Sequence, residues 1–513
     1  MVTTLIEHLM KNAVIMAALV YQAAMSDDRV PRKRKHQNPM TYPTPASLVA
    51  LTVLAVFSAA CFPQADGPLD ARVDEIFADF DSSDSPGAAV LVVREGEVLY
   101  RKGFGQANLE HGLPITPSTV FDIASLSKQF NGMAISMLVE QGLIDLEDDI
   151  RTYLPDLPSF ESTITIDHLV HHTSGFRDWP GTLAVAGWRM DDVISFDQIL
   201  TMARNQEDLN FEPGAEYSYS NTGYNILAAT VAEVSGQSYR EWTDENIFQP
   251  LGMRDTHFQD DHSEIVANRA LGYMPTSDGY QNNHNGLTAL GSSSLHTTID
   301  DLAKWVMNFD DGAVGGMSVI ERMQQRGVLN NDELIGYAFG QSESEYRGLE
   351  LWSHTGSWAG YRTVLLRFPE QRFDVVVLSN LGSYNPSLAA RDVVNLYLGD
   401  LLEPSTEDDT TPAPEEPSPP APEVGDLGDY EGEYYSEELA TSYWVRLRDE
   451  SLVAHHRRHG DIELTPVGND EFRSDVWFMG SVEFDRDGEG RVSGLRVSQP
   501  RSRNMRFARR GME

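Results

Sequence analysis

Between residues 404 and 423 the chain changes character, with Pro412, Pro414, Pro417, Pro419, Pro420 and Pro422 set among acidic residues. Proline lacks the N–H that helix and sheet ladders require, so no regular element runs through such a stretch, which reads as a stiff, extended linker. That break separates two unlike parts. Residues 69–402 mix helical and strand periodicities, whereas residues 425–513 show strand alternation alone. The expected organisation is an export segment at residues 1–61, an α+β domain at 69–402, a linker at 403–424 and an all-β domain at 425–513.

Composition narrows the function. The chain of 513 residues carries 78 Asp+Glu against 39 Lys+Arg, a formal charge of −39, which repels phosphate backbones and argues against nucleic acid as a main partner. Apolar residues make up 41%, enough for ordinary cores. The single cysteine, Cys61, allows no internal disulfide and no thiolate zinc site. No Gly-rich phosphate loop or metal motif stands out, so no cofactor is expected.

The N-terminal part reads as a targeting signal. Arg29, Arg32, Lys33, Arg34 and Lys35 precede an apolar run over residues 46–60, too short to span a bilayer as a helix. Cleavage is therefore expected, and the product would be secreted, periplasmic or held at the cell envelope. Ser58-Ala59-Ala60-Cys61 resembles the box cut by lipoprotein signal peptidase, which would leave Cys61 lipidated as a membrane tether; the same small residues also suit an ordinary signal peptidase. Residues 1–24 read as an over-extended start, with Met25 or Met40 as alternative initiators.

In residues 69–402, the apolar run at 88–93 turns through Glu95-Gly96 into residues 98–101, a predicted hairpin of an antiparallel sheet. Phe130, Met133, Ala134, Met137 and Leu138 fall at helical spacing and Gly142 stops them, so a buried helix is expected from about Ser125. Further helices are expected at 71–80, at 223–234 closed by Gly236, and at 300–308. Beyond the linker, Tyr443, Val445, Leu447, Ile462, Leu464, Val482, Phe484, Leu495 and Val497 alternate with polar residues, as in a small barrel or sandwich.

Beyond the N-terminal segment lysine is scarce, with Lys102, Lys128 and Lys304 alone among many arginines. Lysine, unlike arginine, gives up its proton when desolvated, so a retained lysine points to general-base chemistry. Lys128 follows Ser125 by three residues, which places amine and hydroxyl on neighbouring positions of one helix face. An isolated Ser-x-x-Lys more often means a helix cap and a solvated first-turn lysine. Here the motif has company: Tyr219-Ser220-Asn221 precedes a predicted helix, and His354-Thr355-Gly356 lies between apolar stretches that read as strands.

This ordered set resembles the serine β-lactamase and penicillin-binding-protein superfamily, in its class C, DD-peptidase and D-aminopeptidase branch. Leu169-Val170-His171-His172-Thr173-Ser174-Gly175, Phe211-Glu212-Pro213-Gly214, Pro250-Leu251-Gly252-Met253 and Tyr337-Ala338-Phe339-Gly340 look like further landmarks. The resemblance covers about residues 75–400. It implies an antiparallel sheet flanked by helices with a helical subdomain, and an acyl-enzyme on Ser125. Lys128 or Tyr219 would take the hydroxyl proton, and Asn221 would hold the substrate amide and steady the lysine. His354 stands where many β-lactamases carry lysine, in the form of the motif seen in DD-carboxypeptidases. Backbone N–H groups of Ser125 and Ser357 would form the oxyanion hole, with Thr355 beside them. Gly356 is expected because a side chain would block backbone approach to the substrate.

Other features carry blander readings. His171 and His172 belong to a landmark loop, their side chains pointing apart. His455, His456, Arg457, Arg458 and His459 read as a solvated hairpin. Trp352 and Trp358 are either core or pocket wall. Residues 430–436 resemble the lipocalin-like modules appended to some of these hydrolases. The expectation is an exported serine hydrolase acting on peptide or ester substrates, including peptidoglycan stem peptides or β-lactams. A D-amino-acid-specific peptidase leads; an esterase, a β-lactamase and a penicillin-sensing module that acylates without turnover are the alternatives. Oligomeric state is not readable from the sequence.

Overall fold

The computed structural model describes residues 68–80, 82–404 and 426–511. The expected export segment, Cys61 and most of the expected linker therefore lie outside the described residues. In chain order the elements that build the site are α1 (Pro68–Ile76), β1 (Ala88–Arg94), β2 (Glu97–Phe104), α2 (Ser127–Glu140), α3 (Trp179–Val185), α4 (Asn221–Ser235) and α5 (Ile299–Asp311). They continue with β3 (Tyr337–Ala338), β4 (Gln341–Tyr346), β5 (Leu349–Trp358), β6 (Tyr361–Phe368), β7 (Phe373–Ser379) and α6 (Pro386–Leu398). The strands form one antiparallel sheet in the order β3-β4-β5-β6-β7-β1-β2.

Two central strands explain the layering. β7 is buried along its whole length and β1 along all but its last residue, so both faces of the sheet must be covered. Val90, Val92, Val375 and Val377 point to one side and pack with Val73 and Phe77 around α1 and with Val393 and Val394 of α6. Ala89, Leu91, Val376 and Leu378 point to the other and join Phe130 and Met133 of α2 and Trp305 of α5. The result is the expected α+β arrangement, with the larger helical part on this second face.

The predicted helix near Ser125 begins as a 3₁₀ turn, Ala124–Leu126, and becomes α-helical at Ser127. Gly142, at φ +68°, follows its end, and Gly236, left-handed at φ +69°, closes α4. Gly132 lets α2 lie against residues 337–340, because a Cβ there would stand 2.3 Å from the Phe339 carbonyl oxygen.

His296 lies on the short strand Leu295–Thr297, paired with Asp122 of Phe121–Asp122 just before Ser125. Burial first, then the charges of His257 and Arg269, push its imidazole down to about 3 from 6.5. Between those values only the unfolded state holds the proton. Its contribution to stability is thus complete above pH 6.5 and is lost as pH falls towards 3. We expect His296→Leu to flatten the fall of unfolding free energy between pH 6 and 4 by up to about 1.4 kcal/mol per pH unit. Urea melts at stepped pH measure this, and equal slopes in variant and wild type would overturn it.

Residues 426–511 form a closed barrel of β8 (Gly432–Ser436), β9 (Thr441–Arg448), β10 (Ser451–His456), β11 (Gly460–Gly468), β12 (Glu471–Arg473), β13 (Ser481–Arg486), β14 (Val492–Gln499) and β15 (Ser502–Arg509), in that order. β8 pairs with β15 to close it. Tyr430, Tyr434, Tyr443, Phe472, Phe484 and Phe507 fill the inside, and Ala184 and Val185 of α3 belong to the same cluster.

The barrel is bound to the α+β part by buried polar contacts. Arg177, wholly buried, pairs with Glu438 and donates to the carbonyls of Arg503 at 2.9 Å and Asn504 at 3.3 Å. The Tyr443 hydroxyl donates to the Val185 carbonyl at 3.0 Å. The histidine-rich segment is the expected hairpin with Arg457 and Arg458 exposed, but it corrects the expectation in part, because it is not solvated throughout. Arg458 pairs with Asp192 at 2.7 Å, a ring nitrogen of His459 lies 2.8 Å from the Ala184 carbonyl, and His456 is buried beside Gly187. Strand alternation marks a hairpin but carries no information about what packs on it.

Candidate active site

The chain just before Ser125 is bent by unusual backbone. Ala124 is left-handed at φ +48°, uncommon for a residue with a Cβ, and its N–H donates to Asp122 Oδ1 at 2.7 Å. Asn285 donates to the other Asp122 oxygen and accepts from Trp358 Nε1 at 3.0 Å, so the turn is tied to the end of β5. Ser125 thereby stands on the wall of a cleft of about 610 Å3, at the foot of α2. Its side chain caps no helix; the residue at that position is Leu126.

Lys128 lies in the first turn of α2 and is fully buried. Its Nζ is 3.3 Å from Ser125 Oγ, 2.7 Å from Asn221 Oδ1 and 2.8 Å from the Ser292 carbonyl. The last two groups only accept. A neutral amine satisfies them with its two hydrogens and is left with a lone pair facing the serine. Burial pushes the ammonium well below the usual lysine range, helped by Arg501 and opposed by Asp178. The other two lysines serve ordinary ion pairs, Lys102 with Asp74 at 2.9 Å and Lys304 with Asp301 at 2.7 Å.

Asn221 is oriented from behind. Its Nδ2 donates to both carboxylate oxygens of Asp178, at 3.0 and 3.2 Å, and its backbone N–H to Oδ1 at 2.8 Å. Asp178 thus fixes which end of the amide faces the lysine. Tyr219, one residue before the Ser220 cap of α4, hydrogen-bonds Ser125 and puts its ring 4.7 Å from Lys128 Nζ. Burial holds its phenol far above the usual tyrosine range, so it stays protonated at neutral pH.

On the facing strand β5, Thr355 and Ser357 are exposed to the cleft while His354 and Gly356 are buried. Gly356 is needed for a different reason from the one expected. A Cβ there would stand 2.2 Å from the Ile123 carbonyl oxygen and from Thr363 Oγ1, so the glycine admits the serine turn, not the substrate. β4 pairs with β5 only as far as Ser353, leaving residues 354–358 with no partner on that edge among the described residues. His354 Nδ1 donates to the Thr355 carbonyl at 2.7 Å, which leaves Nε2 to accept from the Tyr337 hydroxyl at 3.1 Å. Burial pushes this imidazole down to about 3, so it is neutral.

The structure brings Ser125, Lys128, Tyr219, Asn221, His354, Thr355 and Ser357 around one cleft, with Gly356 beneath it. Sequence reasoning missed three groups. Asp178 sits in a Phe-Arg-Asp-Trp-Pro stretch with no pattern of its own. Arg501 comes from the barrel. His172, set aside as a turn residue, is left-handed at φ +59°, accepts from the Ser220 N–H at 3.1 Å and lies 4.3 Å from the Tyr219 ring. His171 points away, to Asp167 at 3.0 Å and the Gln325 carbonyl at 3.0 Å. Trp358 lines the cleft, and Trp352 is core.

A family model described as Beta-lactamase matches residues 71–399. A penicillin-binding protein of Bacillus subtilis (strain 168) is 31% identical over 308 residues, 57% of this chain and 67% of the relative. The D-aminopeptidase of Gluconobacter oxydans (strain 621H) is 28% identical over 314 residues, 61% of this chain and 58% of its own length. Among solved structures, the octameric penicillin-binding protein homologue from Pyrococcus abyssi has the same fold at a TM-score of 0.57 and 24% identity, covering 86% of this chain and 98% of that one.

Proposed function

The chain belongs to the beta-lactamase family of serine hydrolases, and from that membership we propose that it is an exported hydrolase acting on amides through an acyl-Ser125 intermediate, as a D-amino-acid-specific peptidase of the DD-carboxypeptidase kind. The observation that carries the reading is the buried Lys128 amine, 3.3 Å from the Ser125 hydroxyl and pushed by burial towards its neutral form. In this reading Lys128 takes the proton as Ser125 attacks the acyl carbon, and the Tyr219 hydroxyl gives its proton to the leaving amine and regains one from the Lys128 ammonium. The N–H groups of Ser125 and Ser357 receive the oxyanion, and the open edge of β5 aligns the substrate backbone. The likeness to a D-aminopeptidase and the neutral His354 motif favour a D-peptide over other acyl substrates.

A substitution that keeps a long basic side chain but cannot offer a lone pair tests the base. Lys128→Arg is expected to lower the acylation rate by about 10² to 10⁴-fold, because arginine does not deprotonate. Stopped-flow acylation with a thioester reads this directly; a variant keeping more than a tenth of the rate would remove Lys128 from the role. A panel of D-alanyl peptides, p-nitrophenyl esters and nitrocefin then ranks peptidase, esterase and β-lactamase, and labelling by penicillin without turnover would favour a sensor. Export rests on the basic and apolar N-terminal pattern, with lipidation at Cys61. Mass spectrometry of the mature N-terminus tests it; an unmodified chain retaining residues 1–61 would overturn it.

A further inference from the structure

In the acyl-Ser125 reading the oxyanion meets two N–H groups on different segments, Ser125 in the turn before α2 and Ser357 near the end of β5. Both must point at one oxygen atom, so their spacing decides how well they stabilise it. A chain of hydrogen bonds spans that spacing. Trp358 Nε1 donates to Asn285 Oδ1 at 3.0 Å, Asn285 Nδ2 donates to Asp122 Oδ2, and the Ala124 N–H donates to Asp122 Oδ1 at 2.7 Å. It starts one residue after Ser357 and ends one residue before Ser125.

Chemistry fixes the direction of each bond. An indole nitrogen only donates, so the Asn285 oxygen faces it, as it also faces the Leu287 N–H at 3.1 Å. The Asn285 amino group is left for Asp122. Asp122 therefore meets a donor at each oxygen and has to accept twice, which an ionised carboxylate does and an amide does not. It is wholly buried. Burial lifts its carboxyl to about 6, against the pull of its two donors and of Arg269, so at pH 8 it is ionised. Ala124 needs the support, being left-handed at φ +48° with a Cβ. Its neighbour Ile123 is held by other groups, the carbonyl by Thr363 Oγ1 at 3.0 Å and the N–H by the Leu295 carbonyl at 3.0 Å.

We propose that Asp122 and Asn285 are positioning residues for acylation, which strap the serine turn to the end of β5 and so set the separation of the Ser125 and Ser357 N–H groups. Neither side chain lines the cleft, so neither touches the substrate. The inference rests on the acyl-Ser125 reading and goes beyond it by naming what keeps the two halves of the oxyanion site together.

The test exchanges the two residues. In Asp122→Asn one oxygen becomes an amino group facing a donor, and in Asn285→Asp two carboxylates face each other, so each single variant breaks the strap. The double variant, Asp122→Asn with Asn285→Asp, rebuilds it in reverse. The amide at 122 accepts from Ala124 and donates to the carboxylate at 285, which still accepts from Trp358 and Leu287. Stopped-flow acylation of the full chain by benzoyl-D-alanyl thioglycolate at pH 8 gives a rate constant and a half-saturating concentration. Each single variant is expected to lower the rate constant by about ten- to a hundredfold and to change half-saturation by less than about threefold. The exchange is expected to return the rate constant to within about fivefold of wild type. Asn285→Ala, at a half-buried position, is expected to show the same loss and serves where a change at buried Asp122 prevents folding. Single variants as fast as wild type, a loss that falls on half-saturation instead, or an exchange no faster than the singles overturns the strap and leaves the hydrolase reading standing. No acylation of wild type, or acylation of Ser125→Ala at the same rate, overturns the hydrolase reading and the inference with it.

Discussion

Replacing Ser125 by alanine is expected to lower kcat by about 10⁴-fold or more on any acyl substrate that the wild type turns over, with the fold intact. The loss is large because no other hydroxyl shares the contacts of Ser125: a lysine Nζ at 3.3 Å, a tyrosine partner, and a backbone turn built on the left-handed Ala124. Ser127, next along, is buried and donates its hydroxyl to the Ala124 carbonyl, so it cannot substitute. Intact-protein mass spectrometry after exposure to a penicillin or a thioester checks the chemistry. Wild type should gain one acyl adduct and Ser125→Ala none. Because the alanine variant removes only one oxygen from a half-exposed site, its unfolding free energy should stay within about 1 kcal/mol of wild type.

The second large effect lies at the junction between the two folded parts. Arg177→Ala is expected to destabilise the protein by about 3 to 5 kcal/mol, the usual result of leaving one partner of a buried ion pair alone. Glu438 would keep its charge in a place where its side chain is only 4% exposed and where burial already lifts its carboxyl above the usual range. The carbonyls of Arg503 and Asn504 would lose donors at the same time. The double variant Arg177→Met with Glu438→Leu removes both charges and is expected to recover most of the loss. Urea melts of the two variants decide it. If the single variant is as stable as wild type, the pair does not hold the junction.

Much of the fold was legible because short-range pattern dictates it. The run at 88–93 reads as a strand from its residues alone, and the helix stops at Gly142 and Gly236 follow from the one residue type that takes a left-handed backbone without strain. The closed barrel was legible as a class, since period-2 alternation with turn residues has few other solutions. In the site, Ser125 and Lys128 could be paired because three residues of one helical turn separate them. The companions Asp178 and Arg501 could not. Asp178 acts on Asn221, 43 residues further on, and Arg501 reaches the cleft because a β-turn of the barrel docks beside α3, contacts between remote parts of the chain that leave no periodic trace. The histidine-rich hairpin and Gly356 failed in a similar way. Residue type showed that something special happens at each, but the partner, a neighbouring helix in one case and the Ile123 carbonyl in the other, was set by tertiary packing.

The docking of the β14–β15 turn also has a consequence in time. Synthesis runs from the N-terminus, and domains fold largely in the order in which they emerge. Ser125, Lys128, Tyr219, Asn221 and His354 all precede the first barrel strand, whereas Arg501 belongs to the turn before the final strand. The residues that surround Ser125 in the cleft are therefore all made before the barrel turn that completes its wall. The wall of the cleft is thus finished by one of the last turns of the chain to be made.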